Sequence, residues 1–230
     1  MTAPADPTRT AHALLDALQA QGPQPVLAWY GEAARVELSG HVLANWIIKA
    51  IGHLADEIAL APGAAVLIDL PPHWKRLVLA IAAWSLGADV TLREPAQDGA
   101  APEPSGGVDA PAVLVTDVPQ DELADAADEV LALEARSLAP RFDSALPPLV
   151  HDWVQEVRAH PDQLSVPLPA WSGPAPSAPG DGIPRLLVPG DGLDVITPVL
   201  GAWLAGGGII CPADQVSAAQ ARNEGATGHA

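Results

Sequence analysis

The 230-residue sequence holds one cysteine, one tyrosine, one phenylalanine, one methionine and only two lysines, Lys49 and Lys75. A single thiol, Cys211, excludes a disulfide within the chain, and the opening MTAPADPTRTAH has neither a basic nor an apolar leader region. The chain is therefore read as cytoplasmic. The longest apolar stretches, 77–84 and 198–211, fall short of the ~18 residues that a membrane span needs. Basic side chains are scarce: 11 Lys and Arg face 28 Asp and Glu, for a net charge of −17. About −11 of that charge falls between Arg93 and Ser165. A field of this sign repels phosphate backbones and anionic lipid, so neither nucleic acid nor a membrane is expected as a partner. The acidic stretch is read as a solvated face, and a protein partner or a second copy of the chain stays open.

What is present is a good set of secondary-structure signals. Ala11, Leu14, Leu15 and Leu18 form one stripe over 8–21, and Gly22-Pro23 ends it, which predicts a short amphipathic helix. Residues 26–30 and 35–38 flank Gly31-Glu32-Ala33-Ala34 as a hairpin would. Ser39 stands at an N-cap position, and Leu43, Ile47, Ile51, Leu54 and Ile58 recur at helical spacing until Pro62. Residues 64–70 are continuously apolar, as in a strand covered on both faces. They are followed by Pro71-Pro72, a helix over 73–86, a capping Gly87 and a strand over 88–92. This is one βαβ unit, of the kind that builds doubly wound parallel sheets.

Residues 93–110 and 170–184 are rich in Pro and Gly and are read as loops. A strand is expected at 112–116, an acidic stretch over 121–129 precedes the apolar run 130–133, and a helix is expected at 149–159 with Trp153 and Val157 inward. The strand–helix–glycine–strand grammar returns at 185–188, 194–204 and 208–211. The pair Ala83-Trp84-Ser85-Leu86-Gly87 and Ala202-Trp203-Leu204-Ala205-Gly206 is read as one helix-to-strand turn used twice. The expected fold class is α/β, a doubly wound, mostly parallel sheet flanked by helices. It forms a single domain over 1–214 with a flexible tail over 215–230.

Laid end to end, the hairpin at 29–38, the capped helix at 39–60, Pro62-Gly63, the strand at 64–70, Pro71-Pro72, the helix at 73–87 and the strand at 88–92 resemble the N-terminal subdomain of the adenylate-forming superfamily. That group includes acyl-CoA synthetases, peptide-synthetase adenylation domains and luciferases. Residues 185–212 are similar to the segment that follows the superfamily's phosphate loop. The Ala-rich, Lys-poor composition suits short members of this type in high-GC actinobacterial genomes. The resemblance implies an ATP-gripping Ser/Thr/Gly-rich loop ending in Gly-x-Pro-Lys between Leu168 and Arg185. Only Trp171-Ser172-Gly173 and a Pro/Ala/Gly run stand there, with no Thr and no Lys. The chain also stops where the adenine-binding motifs and the C-terminal domain with its catalytic lysine would begin. Triphosphate binding normally requires Lys, Arg or a metal beside backbone N–H groups.

The leading expectation is thus a non-catalytic binding or partner-interaction module with no cofactor, although ATP or AMP binding stays open. One alternative is half of a carboxylate-activating enzyme that needs a second chain. Another is a dinucleotide-binding protein, because Gly190-Asp191-Gly192 follows a strand and opens a helix, with Asp214 near the end of the next strand. In that turn Asp194 is expected to cap the helix. The candidate pocket residues are accordingly Ser172, Gly173, Gly190, Asp191 and Gly192. His53, Asp56 and Glu57 are read as a solvated helix face, His73 as a helix N-terminal surface residue, and no metal site is expected. No Ser lies in G-x-S-x-G, which disfavours a hydrolase.

Overall fold

The computed structural model describes residues 6–32, 34–93, 110–178 and 182–230. The expected loop over 94–109, and residues 179–181 of the second one, lie outside the described residues. Helix α1 (Pro7–Gln21) starts on Asp6, whose carboxylate accepts the Thr8 N–H, and buries the expected Ala11, Leu14, Leu15 and Leu18. Strands β1 (Pro25–Trp29) and β2 (Val36–Ser39) form the antiparallel hairpin. Ser39 then caps α2 (Gly40–Asp56) by accepting the Val42 N–H. The βαβ unit follows as β3 (Ala65–Asp69), α3 (Trp74–Ser85) and β4 (Asp89–Leu92). Next come β5 (Val113–Thr116), α4 (Glu122–Ala126), β6 (Glu129–Ala132), β7 (Val150–Asp152) and α5 (Trp153–Val157). The chain continues through β8 (Arg185–Leu187), a 3-10 turn (Leu193–Val195), α6 (Ile196–Leu204), β9 (Gly208–Cys211), α7 (Ala218–Asn223) and β10 (Gly228–His229). Among the described residues no helix is long and apolar enough to cross a membrane.

The strands divide into two sheets of five, in the orders β10-β8-β9-β1-β2 and β4-β3-β5-β6-β7. Every pairing is parallel except β1 with β2. The expected mostly parallel α/β architecture is therefore present, split over two sheets. Helix α2 packs on β1, β2 and α3, and α3 packs on β3 and β4, so this helix pair is the layer that joins the sheets. Alternation along the strands sorts residues between the faces. Val66 and Ile68 of β3, and Ile209 and Cys211 of β9, enter one large core. Leu67 turns to the opposite face with Leu114, Val130 and Ala124 of α4, and Ile210 turns outward with Ala28 and Leu187. Both faces are apolar, which is why these strands show no polar alternation in sequence.

Three expectations are corrected. The segment after Asp214 is not a frayed tail: Val216, Ala221 and Ala226 cover the outer face of the first sheet, and β10 pairs with β8. Glu224 ties it down by accepting from Tyr30 Oη (2.7 Å), Arg35 Nε (2.5 Å) and Arg185 Nη2 (3.0 Å). Burial pushes this carboxyl up, but those three donors outweigh it and hold it at about 2. The helix expected at 149–159 is shorter, because 150–152 pair with β6 and Asp152 caps α5 by accepting the Gln155 N–H. Asp194 is exposed and caps nothing; Asp191 takes the Leu193 N–H instead.

The duplicated turn is real. Gly87 (φ +76) donates to Trp84 O and Ala88 to Ala83 O, while Gly206 (φ +78) donates to Trp203 O and Gly207 to Ala202 O. Each pair is the same two-bond helix stop, which needs a left-handed residue. A Cβ on Gly206 would meet nothing, whereas one on Gly87 would press on Pro62 at 3.3 Å. Gly206→Ala is expected to cost about 1–2 kcal/mol from backbone strain alone, and Gly87→Ala more than that, as read from urea unfolding midpoints.

Candidate functional site

In open α/β sheets, ligands settle beyond the carboxyl ends of the strands. At that edge of the first sheet, β1 ends at Trp29, β8 runs into Pro189-Gly190, and β9 into Pro212. Together with Pro72 from the β3–α3 turn and Asp214, these residues line a cleft of about 640 Å³. A cleft of similar size, about 670 Å³, opens at the opposite edge, where β8, β9 and β1 begin and where the Glu224 ion-pair network lies. The carboxyl-edge cleft is the better candidate, because the amino-edge groups are already engaged with one another in holding α7 and β10.

Next to the cleft-lining Gly190 lies a buried ion pair. Asp191 is 1% exposed and Arg76 3%. The carboxylate accepts from Arg76 Nε (2.6 Å), Arg76 Nη2 (3.0 Å), His73 N (3.0 Å) and Leu193 N (3.2 Å), and Arg76 Nη1 donates to Leu70 O (3.1 Å). Negative charge at the start of α3 also suits the helix dipole. All four acceptor directions of Asp191 are thus satisfied inside the protein.

His73 is buried rather than superficial. Its Nδ1 accepts the Lys75 N–H (3.1 Å) as the α3 cap, and its Nε2 faces Glu32 Oε1 (3.2 Å) and Ser137 Oγ (3.3 Å). Ser137 Oγ donates to Glu32 and accepts from Trp74 Nε1 (2.7 Å). Ser, His and a carboxylate meet here, but the carboxylate bonds the serine itself, and the ring nitrogen that should be oriented by an acid is held by a backbone N–H. The relay of a nucleophilic triad is absent from this cluster. Instead it pins the loops carrying Glu32 and Ser137 to the start of α3. Burial, aided by Lys75, pushes the His73 imidazole down to about 4. Burial pushes Glu32 up, but hydrogen bonds from Ser137 and His73 prevail and hold it below its ordinary value. Lys75 is fully buried, donates to Arg136 O (2.5 Å), and is lowered to about 8 by burial. Burial and the nearby Asp191 raise the Cys211 thiol, which marks it as an inert core group.

The five residues singled out from sequence do not come together. Gly190 lines the cleft, and Asp191 beside it is buried on Arg76. Gly192 lets the turn approach α6, since a Cβ there would sit 3.1 Å from Val199 and 3.2 Å from Val188. Ser172 and Gly173 lie at the far end of α3, where Ser172 Oγ donates to Ala88 O (2.6 Å) and a Cβ on Gly173 would strike the Trp84 ring at 2.6 Å. The twelve residues of α3, roughly 18 Å of helix, separate the two groups. Glu32, His73, Arg76 and Ser137 were missed. One signal existed: Lys75-Arg76 open a helix whose other residues are almost all apolar, which implies buried charges that need partners.

Comparison with known proteins agrees with this architecture. No family model matches the chain. A Mycobacterium tuberculosis protein described as a TIGR03089 family protein is 34% identical over 161 residues, 69% of this chain and 63% of that protein. Among solved structures, VinN superposes with a TM-score of 0.61 at 14% identity, over 96% of this chain and 60% of that one. The acetoacetyl-CoA synthetase of Streptomyces lividans gives 0.59 at 14% identity, over 87% of this chain and 38% of that one. The acyl-CoA synthetase of Brucella canis gives 0.58 at 16%, over 86% and 42%. The fold is that of adenylate-forming, acyl-CoA synthetase-like enzymes. The chain spans less than two thirds of the length of each of these proteins.

Two outcomes follow for this site. Asp191→Ala strands the buried Arg76 cation, and a loss of about 3–5 kcal/mol is expected from chemical denaturation. The His73 value of about 4 lies below the ordinary 6.5, so the unfolded chain binds more protons between these values. Stability from this residue is complete above pH 6.5 and falls by on the order of 3 kcal/mol as pH drops toward 4. His73→Asn keeps a capping oxygen and should flatten that part of the stability–pH curve.

Proposed function

We propose that this protein is a non-catalytic binding module, working in the cytosol, that uses an adenylate-forming-enzyme fold to hold a small non-phosphorylated ligand or a protein segment at the carboxyl-edge cleft. One observation carries the reading: among the described residues the cleft lining has no basic side chain and includes the Asp214 carboxylate. A triphosphate there would meet negative charge without compensation. Three basic groups that the sequence places near the helices of the core are committed elsewhere. Arg76 is consumed by Asp191, Lys75 is buried against Arg136 O, and Lys49 pairs with Asp162 at 2.6 Å. The serine nearest to an ATP loop in sequence, Ser172, spends its hydroxyl on the end of α3. Trp29 borders the cleft, and its buried indole N–H has no partner among the described residues. The relative from M. tuberculosis is itself of comparable length, since the same 161 residues make up similar shares of both chains.

A second reading, half of a carboxylate-activating enzyme, draws support from the 38% to 60% coverage of the enzymes that share the fold. The two readings part on one experiment. The purified chain is assayed for carboxylate-dependent pyrophosphate exchange, and its melting temperature is followed with ATP-Mg, AMP, NAD and a non-hydrolysable acyl-adenylate. The binding-module reading expects no exchange and no shift with ATP-Mg or NAD. Exchange activity, alone or on adding a partner captured with the tagged chain, would establish the half-enzyme, and a shift with NAD the dinucleotide site.

A further inference from the structure

A second cluster of chemistry-bearing groups lies away from the cleft, and periodicity had assigned its first member to a solvated helix face. His53, in the last turn of α2, is completely buried. Its Nε2 stands 3.0 Å from Glu156 Oε2, on α5, and the same oxygen is 2.8 Å from Nδ1 of His151, on β7. One ligand atom from each of the three residues lies within 4.8 Å of the others. We infer that His53, His151 and Glu156 form a binding site for a first-row divalent transition ion, zinc being the reference case.

The chemistry of the set favours such an ion. Two imidazole nitrogens and one carboxylate oxygen suit zinc, cobalt or nickel, while magnesium and calcium prefer oxygen cages. Two histidines and a glutamate, with one coordination position left to water, are also a recurrent zinc set. Metal bonds of about 2.0–2.1 Å in a tetrahedron place ligand atoms about 3.3 Å apart. The two observed contacts of 2.8 and 3.0 Å need only to open by a few tenths of an ångström. His151 and Glu156 are 25% and 34% exposed in their side chains, so an ion and its water have access.

The surroundings are also those of a metal site. The remaining nitrogen of His151, Nε2, faces Glu129 Oε2 at 3.3 Å, the carboxylate–histidine arrangement that orients metal ligands. The remaining nitrogen of His53, Nδ1, is buried without a partner among the described residues. It can receive the proton that Nε2 gives up on coordination, so binding requires a tautomer shift at His53 and no ionisation there. The ligands sit on regular elements, with α5 held by its Asp152 cap. His160, whose ring packs 5.5 Å from that of His53, closes the far side. An ion here would staple α5 and β7 to α2.

The test uses the full chain, stripped with chelator and titrated with Zn²⁺ by calorimetry, with Co²⁺ absorption and thermal shift as independent readouts. One equivalent should bind, raise the melting temperature, and give the intense visible bands of low-coordinate Co²⁺. His151→Gln and Glu156→Gln, both at partly exposed positions, should each weaken binding roughly tenfold or more, and Glu129→Gln by a similar factor. His12→Gln, at an exposed site on α1, should leave it unchanged. Absence of stoichiometric binding would overturn the proposal. So would binding that survives both substitutions in folded variants, or binding equalled by Mg²⁺.

Discussion

Arg76 and Asp191 meet in the interior as a doubly hydrogen-bonded ion pair. Arg76 belongs to α3, which lies under the second sheet, and Asp191 to the turn leaving β8 of the first. The pair locks the two sheets into one relative arrangement. Apolar packing between α2 and α3 supplies most of the attraction, but such packing tolerates sliding, whereas two charges taken out of water tolerate only the geometry that pairs them. Because Asp191 also binds the His73 and Leu193 N–H groups, the same carboxylate sets the start of α3 and the shape of the 190–192 turn. The cleft borders on both.

The distribution of charge gives this molecule its chemical character. Positive groups are few, and the structure uses them internally: Arg76 on Asp191, Arg35 and Arg185 on Glu224, and Lys75 on a carbonyl. Negative groups remain in excess. The proposed His53–His151–Glu156 site supplies a complementary capacity, two imidazole nitrogens and one carboxylate oxygen suited to a first-row divalent cation.

Much of the fold was legible because it depends on neighbours in sequence. The apolar stripe of α1, the Ser39 cap, the continuous strand at 65–69 and the paired Trp-x-x-Gly helix stops each express a rule that acts over a few residues. The site was less so. Gly190 was placed at the cleft by the strand–turn–helix pattern, but Asp191 and Gly192 turned out to serve packing, and Ser172 and Gly173 lie at the other end of α3. His53 looked solvated because Asp56 and Glu57 beside it are exposed, and its true surroundings come from α5 and β7.

The amino-acid order by itself determined where α1 to α3 and β1 to β4 lie, that the central strands are buried on both faces, and that lysines are scarce. Those properties follow from backbone preferences, side-chain period and composition. Tertiary structure alone decided that the strands split into two sheets, that 216–229 is tied down, and which polar groups meet. The contacts that matter join residues 41, 103 and 115 positions apart: His73 with Glu32, His53 with Glu156, Arg76 with Asp191. No local pattern encodes such a pairing. It arises when the core closes and each buried polar group must find a partner within reach.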